Sequence, residues 1–178
     1  MNLPTLIVAA LLIGFGLPNA HSAETSPDLE LEMLLDKYER EKLDLMVRLN
    51  TTYIERIEAR LRSAMKEGNL PAANQTDRAL KDLQAENDAL ILRRESADLI
   101  ASLAGEWEIL TTRYRFKVFP NGRVIHLESD EPYTGQRMIV VDLEKRKVRL
   151  NTITWEVTEG SKSLYGNRHP AQRIVTEN

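Results

Sequence analysis

Glu67-Gly68-Asn69-Leu70-Pro71 is the stretch on which the reading of this chain turns. Gly68 suits the left-handed conformation that ends a helix, and Pro71 suits the first turn of the next one. Working back from that stop, no proline or glycine interrupts the chain as far as Asp28. Apolar residues recur at Leu31, Leu35, Tyr38, Leu45, Leu49, Tyr53, Ile57, Leu61 and Met65, at the spacings of one helical face. A flanking row (Leu34, Met46, Val47, Ile54, Ala64) widens the stripe, and Asp36/Arg40 and Glu58/Arg62 form helical charge pairs beside it. An arm of roughly 40 residues spans about 60 Å, too long to stand without a partner along its length.

Working forward from the stop, a second arm carries Ala72, Ala79, Leu80, Leu83, Leu90, Ile91, Ala97, Ile100 and Ala101, with Gly105 just past its end. Asn87 and Arg94 interrupt its seam. Such residues either set the register of a coiled coil or sit at its solvated edge. The expected unit is a long antiparallel helical hairpin over residues 24–104. Its apolar faces are together wider than one antiparallel contact covers, most clearly around Tyr38, Leu43, Leu45 and Met46. The hairpin is therefore expected either to dock on the strand region or to self-associate into a four-helix arrangement.

From Gly105 the pattern alternates, which predicts a small antiparallel β-domain over 105–178. Asn121-Gly122 between two alternating runs signals a hairpin. Taken as a two-residue turn, it sets Val118 against Ile125 and Phe116 against Leu127. On the other side it sets Arg115 against Glu128, Arg113 against Asp130 and Lys117 against His126. Further strands are expected at Gly105 to Leu110, Arg137 to Leu143, Lys147 to Ile153, Thr154 to Thr158 and Ser163 to Gly166, with an edge at Gln172 to Thr176. Ile139, Val141 and Leu143 should face Val148 and Leu150. The fold class is α+β: a coiled-coil-like hairpin followed by a curled sheet or barrel.

Residues 1–23 read as a signal peptide. Leu6 to Leu17 form an apolar run shorter than a membrane span, Pro18 breaks it, and small residues allow cleavage after Ser22 or Ala23. The expected location is periplasmic or extracellular, with membrane attachment only if this segment is retained. All 24 Lys and Arg and all 27 Asp and Glu lie beyond residue 23, so the net charge of −3 is unchanged by its removal. No basic stretch is interleaved with stacking aromatics, which argues against nucleic acid as a partner. With no cysteine, disulfides, zinc–thiolate sites and a cysteine nucleophile are excluded.

Leu103-Ala-Gly-Glu-Trp107, Tyr114-x-Phe116, Pro120-Asn-Gly122-x-Val124 and Trp155-x-Val157 together resemble a recurring module of secreted bacterial proteins. It is a small lipocalin-like β-domain in which a G-x-W opening strand is followed by an F-x(n)-[DN]-G hairpin. In several such proteins an exported helical segment precedes it, ending in a turn like Lys66-Glu-Gly68-Asn-Leu70-Pro. The resemblance implies export and this architecture, and it assigns no chemistry.

No catalytic constellation, metal-ligand set or cofactor motif is read from the residues. His126 is expected on the polar side of a strand, and His169 lies in Asn167-Arg168-His169-Pro170. Glu106 and Glu108 alternate with Trp107 and Ile109 as a solvated strand face. Arg113, Arg115, Lys117 and Arg123 could form a basic strip, which pairing with Glu128 and Asp130 would neutralise. Trp107, Tyr114, Phe116 and Trp155 are the aromatic residues expected on the concave side of the sheet, as core or as the lining of a ligand site. The leading functional expectation is an exported non-enzymatic protein. Its hairpin would serve self-association or spacing, and its β-domain would offer a binding surface to a further copy or an envelope protein. The alternative is a lipocalin-like binder of a small ligand in the periplasm.

Overall fold

A computed structural model describes residues 27–127, 136–166 and 168–175; the expected signal segment lies outside these residues. The helical hairpin is present as α1 (Pro27–Lys66) and α2 (Leu70–Ser102). Gly68 has φ +71°, and Asn69 donates from its amide to the Ala64 carbonyl at 2.9 Å, closing α1. The Asn69 side chain then accepts from the Ala72 amide at 3.2 Å, capping α2 beside Pro71. No helix among the described residues is long and apolar enough to cross a membrane.

The face that α1 turns inward is not the one with the largest side chains. Leu43, Val47 and Ala64 are buried, with Ile54, Ile57 and Leu61 half-buried, opposite Ala73, Leu80 and Asn87 of α2. Leu31, Leu35, Tyr38, Leu45, Leu49, Tyr53 and Met65, expected in the seam, are exposed. Two helices approach closely where side chains are small, so Val47, Ala64 and Ala73 take the seam and the bulky row is left outside. Asn87 is buried at 7% exposure rather than placed at a solvated edge, while Arg94 reaches Asp44 at 3.8 Å. On the register set by the turn and that ion pair, Asn50 lies level with Asn87. There Asn50 Nδ2 and Asn87 Oδ1 are both buried with no hydrogen-bond partner among the described residues.

Eight antiparallel strands follow in one curled half-barrel sheet: β1 (Gly105–Ile109), β2 (Tyr114–Val118), β3 (Val124–His126), β4 (Ile139–Asp142), β5 (Lys147–Leu150), β6 (Ile153–Val157), β7 (Ser163–Tyr165) and β8 (Ala171–Arg173). Their order is β3-β2-β1-β8-β7-β6-β5-β4. The last strand, expected at an edge, lies inside the sheet because it pairs with both β1 and β7.

Three registers differ from the sequence expectation. Val118 opposes Val124 and Phe116 opposes His126, a slip of one residue. Pro120-Asn121-Gly122 makes a three-residue connection with Gly122 at φ +81°, a geometry that suits Pro first and glycine last. The slip brings Val124 into the core and turns Ile125 outward beside Lys117. Glu128 and Asp130 lie outside the described residues; Arg115 and Arg113 meet Glu106 at 3.6 Å and Glu108 at 3.4 Å. Met138 just before β4 and Val140 within it point inward, while Ile139 and Val141 are exposed; a bulge before Asp142 then restores Leu143 to the core side. β5 ends at Leu150, because Asn151 at φ +53° turns the chain into β6.

The two edges of the half-barrel touch at one end, through a bridge between Arg123 and Arg137 and the bonds Val124 N to Gln136 O (3.1 Å) and Met138 N to Gly122 O (2.7 Å). A Cβ on Gly122 would lie 2.8 Å from the Met138 carbonyl oxygen, so glycine is required by space as well as by φ. Leu99, Ile100 and Leu103 of the α2 terminus enter the same core as Trp107, Phe116, Val118, Val124 and Met138. Arg173 secures this end: its guanidinium donates to the Ser102 carbonyl (2.7 Å) and the Ala104 carbonyl (3.0 Å) and lies 5.2 Å from the Trp107 ring centre.

Glu32 of α1 joins the hairpin to the closed end of the sheet. It accepts from Arg123 at 2.8 Å and also from Arg137, the two residues of the bridging pair. Like charges held opposite each other destabilise a ladder, and this carboxylate offsets them. Burial pushes its carboxyl up, but the two guanidinium groups outweigh burial and hold it below the ordinary glutamate range. A depressed folded value means the contribution is complete above the unfolded value, about 4.3 for glutamate, and is lost as the pH falls through the folded one. Thermal melts below about pH 4.3 should therefore fall more steeply for the native chain than for Glu32→Gln. Equal slopes would show that this carboxylate does not hold the junction.

Candidate functional site

The open end of the half-barrel forms a cleft of about 350 Å3. Alternation along β2 and β6 points Tyr114, Phe116 and Trp155 inward, and Ile109, Leu150 and Ile153 complete an apolar floor. The Phe116 and Trp155 rings stack with centroids 6.3 Å apart and planes 24° from parallel. Tyr114 stands 6.2 Å from Phe116 and takes the His126 ring edge-on at 4.1 Å. His126 thus lies opposite Phe116, on the concave side rather than among the charges outside.

Polar groups line the rim. Asn151 donates to Gln136 at 2.6 Å, Thr111 Oγ1 lies 3.3 Å from His169 Nδ1, and the Trp155 indole donates to the His169 carbonyl. Phe116 and Trp155 lie beneath this floor at 0% and 1% exposure, so the apolar surface open to the cleft comes from Tyr114 and Ile153, and the volume falls in the range of small-ligand sites.

Of the four aromatic residues singled out in the sequence, three line this cleft and one does not. Phe116 and Trp155 are as fully buried as Trp107, and what sets Trp107 apart is its place: it donates to the Leu103 carbonyl at 2.8 Å and belongs to the closed end beneath α2. Alternation puts it on the concave side but cannot tell which end of the half-barrel it occupies. Gln136, Asn151 and His169 were not foreseen as cleft residues, because each comes from a connection and only the tertiary fold joins them.

The acidic and basic residues singled out on β1 to β3 have partners of their own. Glu106 and Glu108 pair with Arg115 and Arg113, Arg123 pairs with Glu32, and the Lys117 ammonium lies 5.6 Å from the Phe119 ring centre. Among the described residues no group of three or more His, Asp or Glu side chains is arranged to hold a metal ion.

A second surface runs along the outer face of α1. Leu34 is 63% exposed, Tyr38 59% and Leu45 66%, and Leu31, Leu35, Met46, Leu49 and Tyr53 continue the stripe. All eight lie within about a third of the helix circumference, on the side away from α2. An exposed apolar stripe interrupted only by Lys42 is unusual on a chain that acts alone.

No protein-family model, curated protein or solved structure matches this chain.

Gly166 connects the cleft to backbone packing. A Cβ there would lie 2.9 Å from Trp155 Cδ1 and 3.2 Å from the Thr154 carbonyl oxygen. Gly166→Ala should push the indole off its place and destabilise the chain by about 1–3 kcal/mol. Urea unfolding and the Trp155 emission maximum check this; a variant unchanged in both would show that Trp155 is not held by that contact.

Proposed function

We propose that this chain is an exported, non-enzymatic assembly protein of the bacterial cell envelope. The helical hairpin self-associates and acts as a rigid spacer, and the β-domain presents a binding surface to envelope partners. The observation that carries this reading is the apolar stripe on the outer face of α1, which no part of the described chain covers. Export is supported by residues 1–23, whose apolar run, Pro18 and small residues fit a cleavable signal ending at Ser22 or Ala23. Light scattering of residues 24–178 should give a mass above that of one chain. Leu45→Glu with Leu49→Glu should reduce it to a monomer of unchanged helicity, since both positions are exposed in the single chain. A native chain that stays monomeric would remove the reading.

The cleft favours a second reading, a lipocalin-like binder in which the β-domain holds one small molecule and the hairpin serves as a docking arm. An aromatic floor stacked on Trp155 makes binding visible in fluorescence. Titration with an apolar naphthalene dye should saturate at one dye per chain and quench the indole. Tyr114→Ala, which removes the half-buried ring of the lining, should weaken binding by roughly tenfold. Non-saturable uptake of dye would count against a defined site.

A further inference from the structure

The outer face of α1 repeats with a period of seven. Leu35, Lys42 and Leu49 form one row, and Leu31, Tyr38, Leu45 and Thr52 form the other, as the a and d rows of a coiled-coil seam do. Glu41 and Arg48 stand on one border of the seam, a full heptad apart, and all of these side chains are exposed. Tyr38, Glu41, Lys42, Leu45, Met46 and Leu49 surround a shallow hollow of about 290 Å3. Each hole that receives a knob in a coiled coil is made from four such neighbours, and this hollow contains two adjoining sets, 38-41-42-45 and 42-45-46-49. The inward seam of Leu43, Val47 and Ile54 is already filled by α2, so α1 carries two seams.

We propose that the outer seam binds α1 of a second copy of this chain, antiparallel, about a two-fold axis passing between Leu43 and Asp44. The proposal rests on the self-association reading above and specifies its geometry. In this arrangement Tyr38 lies level with Leu49 of the second copy, and the Lys42 stem packs on Leu45 of the second copy. Glu41 meets Arg48 of the second copy, and the symmetry makes this ion pair twice. A parallel pairing in register would set Lys42 against its own copy inside the seam, and like charges there repel. Among the described residues of one chain, the one cation that Glu41 reaches is Lys37, at 4.0 Å, and Arg48 makes no ion pair. A single lysine in an a row is a known determinant of register and partner number. Two hairpins joined this way form a row of four helices with α1 and its copy in the middle and each α2 outside.

Sedimentation velocity on residues 24–178 tests the arrangement through its charges. Glu41→Arg alone and Arg48→Glu alone should each weaken the dimer by about tenfold or more, and the double variant should recover most of the native affinity. An equimolar mixture of the two single variants should associate more tightly than either alone, because the complementary charges are then on different chains. The absence of native cysteine allows a second readout. Tyr38→Cys mixed with Leu49→Cys should cross-link under mild oxidation. Tyr38→Cys alone should not, since the two copies of residue 38 would be displaced by about 16 Å along the axis. A dimer indifferent to all three charge variants, or one that cross-links through Tyr38→Cys alone, overturns the antiparallel pairing but leaves self-association standing. A native chain that remains monomeric at roughly 0.1 mM overturns both.

Discussion

The last turns of α2 enter the closed end of the half-barrel, and most of the structure depends on that insertion. Leu99, Ile100 and Leu103 share a core with Trp107, Phe116 and Met138. Burying three such side chains contributes on the order of 5 kcal/mol. The insertion also consumes the helix end, where Arg173 takes the carbonyls of Ser102 and Ala104 that helical bonding leaves open. With this end filled, the sheet edges are drawn together at Arg123 and Arg137, and Glu32 reaches across from α1 to compensate both guanidinium groups. Helices and sheet are thus one packed body along this junction.

Closing one end leaves the other end open. There the inward aromatic residues of β2 and β6 are not met by a helix, and the space between them is the cleft. Phe116 and Trp155 are buried directly beneath the cleft, whereas Trp107 is buried beneath α2, so the two tryptophans have different surroundings although both are inward-facing. The cleft walls are therefore held by the main core rather than by mobile loops, a condition for a preformed site.

How much of this was legible in the sequence depended on the signal. The hairpin was, because a glycine and a proline placed three residues apart between two periodic runs leave few alternatives. Its inner face was not. α1 has apolar residues on opposite sides, and periodicity measures spacing without saying which side a partner takes. Val47, Ala64, Ala73 and Leu80 lie in the seam because backbones approach there, a condition that only packing imposes. Strand positions were legible from alternation, while registers turned on single residues. Pro120 made the β2–β3 connection three residues long rather than two, and one bulge in β4 put Val140 with Leu143 on the core side and left Val141 outside.

Three of the four aromatic residues singled out in the sequence line the cleft, and its polar rim was invisible because Gln136, Asn151 and His169 are far apart in the chain. By itself the sequence determined the α+β class, the long hairpin with its stop at Gly68, and the surplus of apolar surface on the first arm. Those follow from local backbone preferences and from counting side chains. The tertiary structure decided which stripe is covered, which end of the half-barrel is closed and where Trp107 lies. Each of these is a competition between surfaces for the same partner, and the winner is chosen by close packing rather than by any residue's own preference.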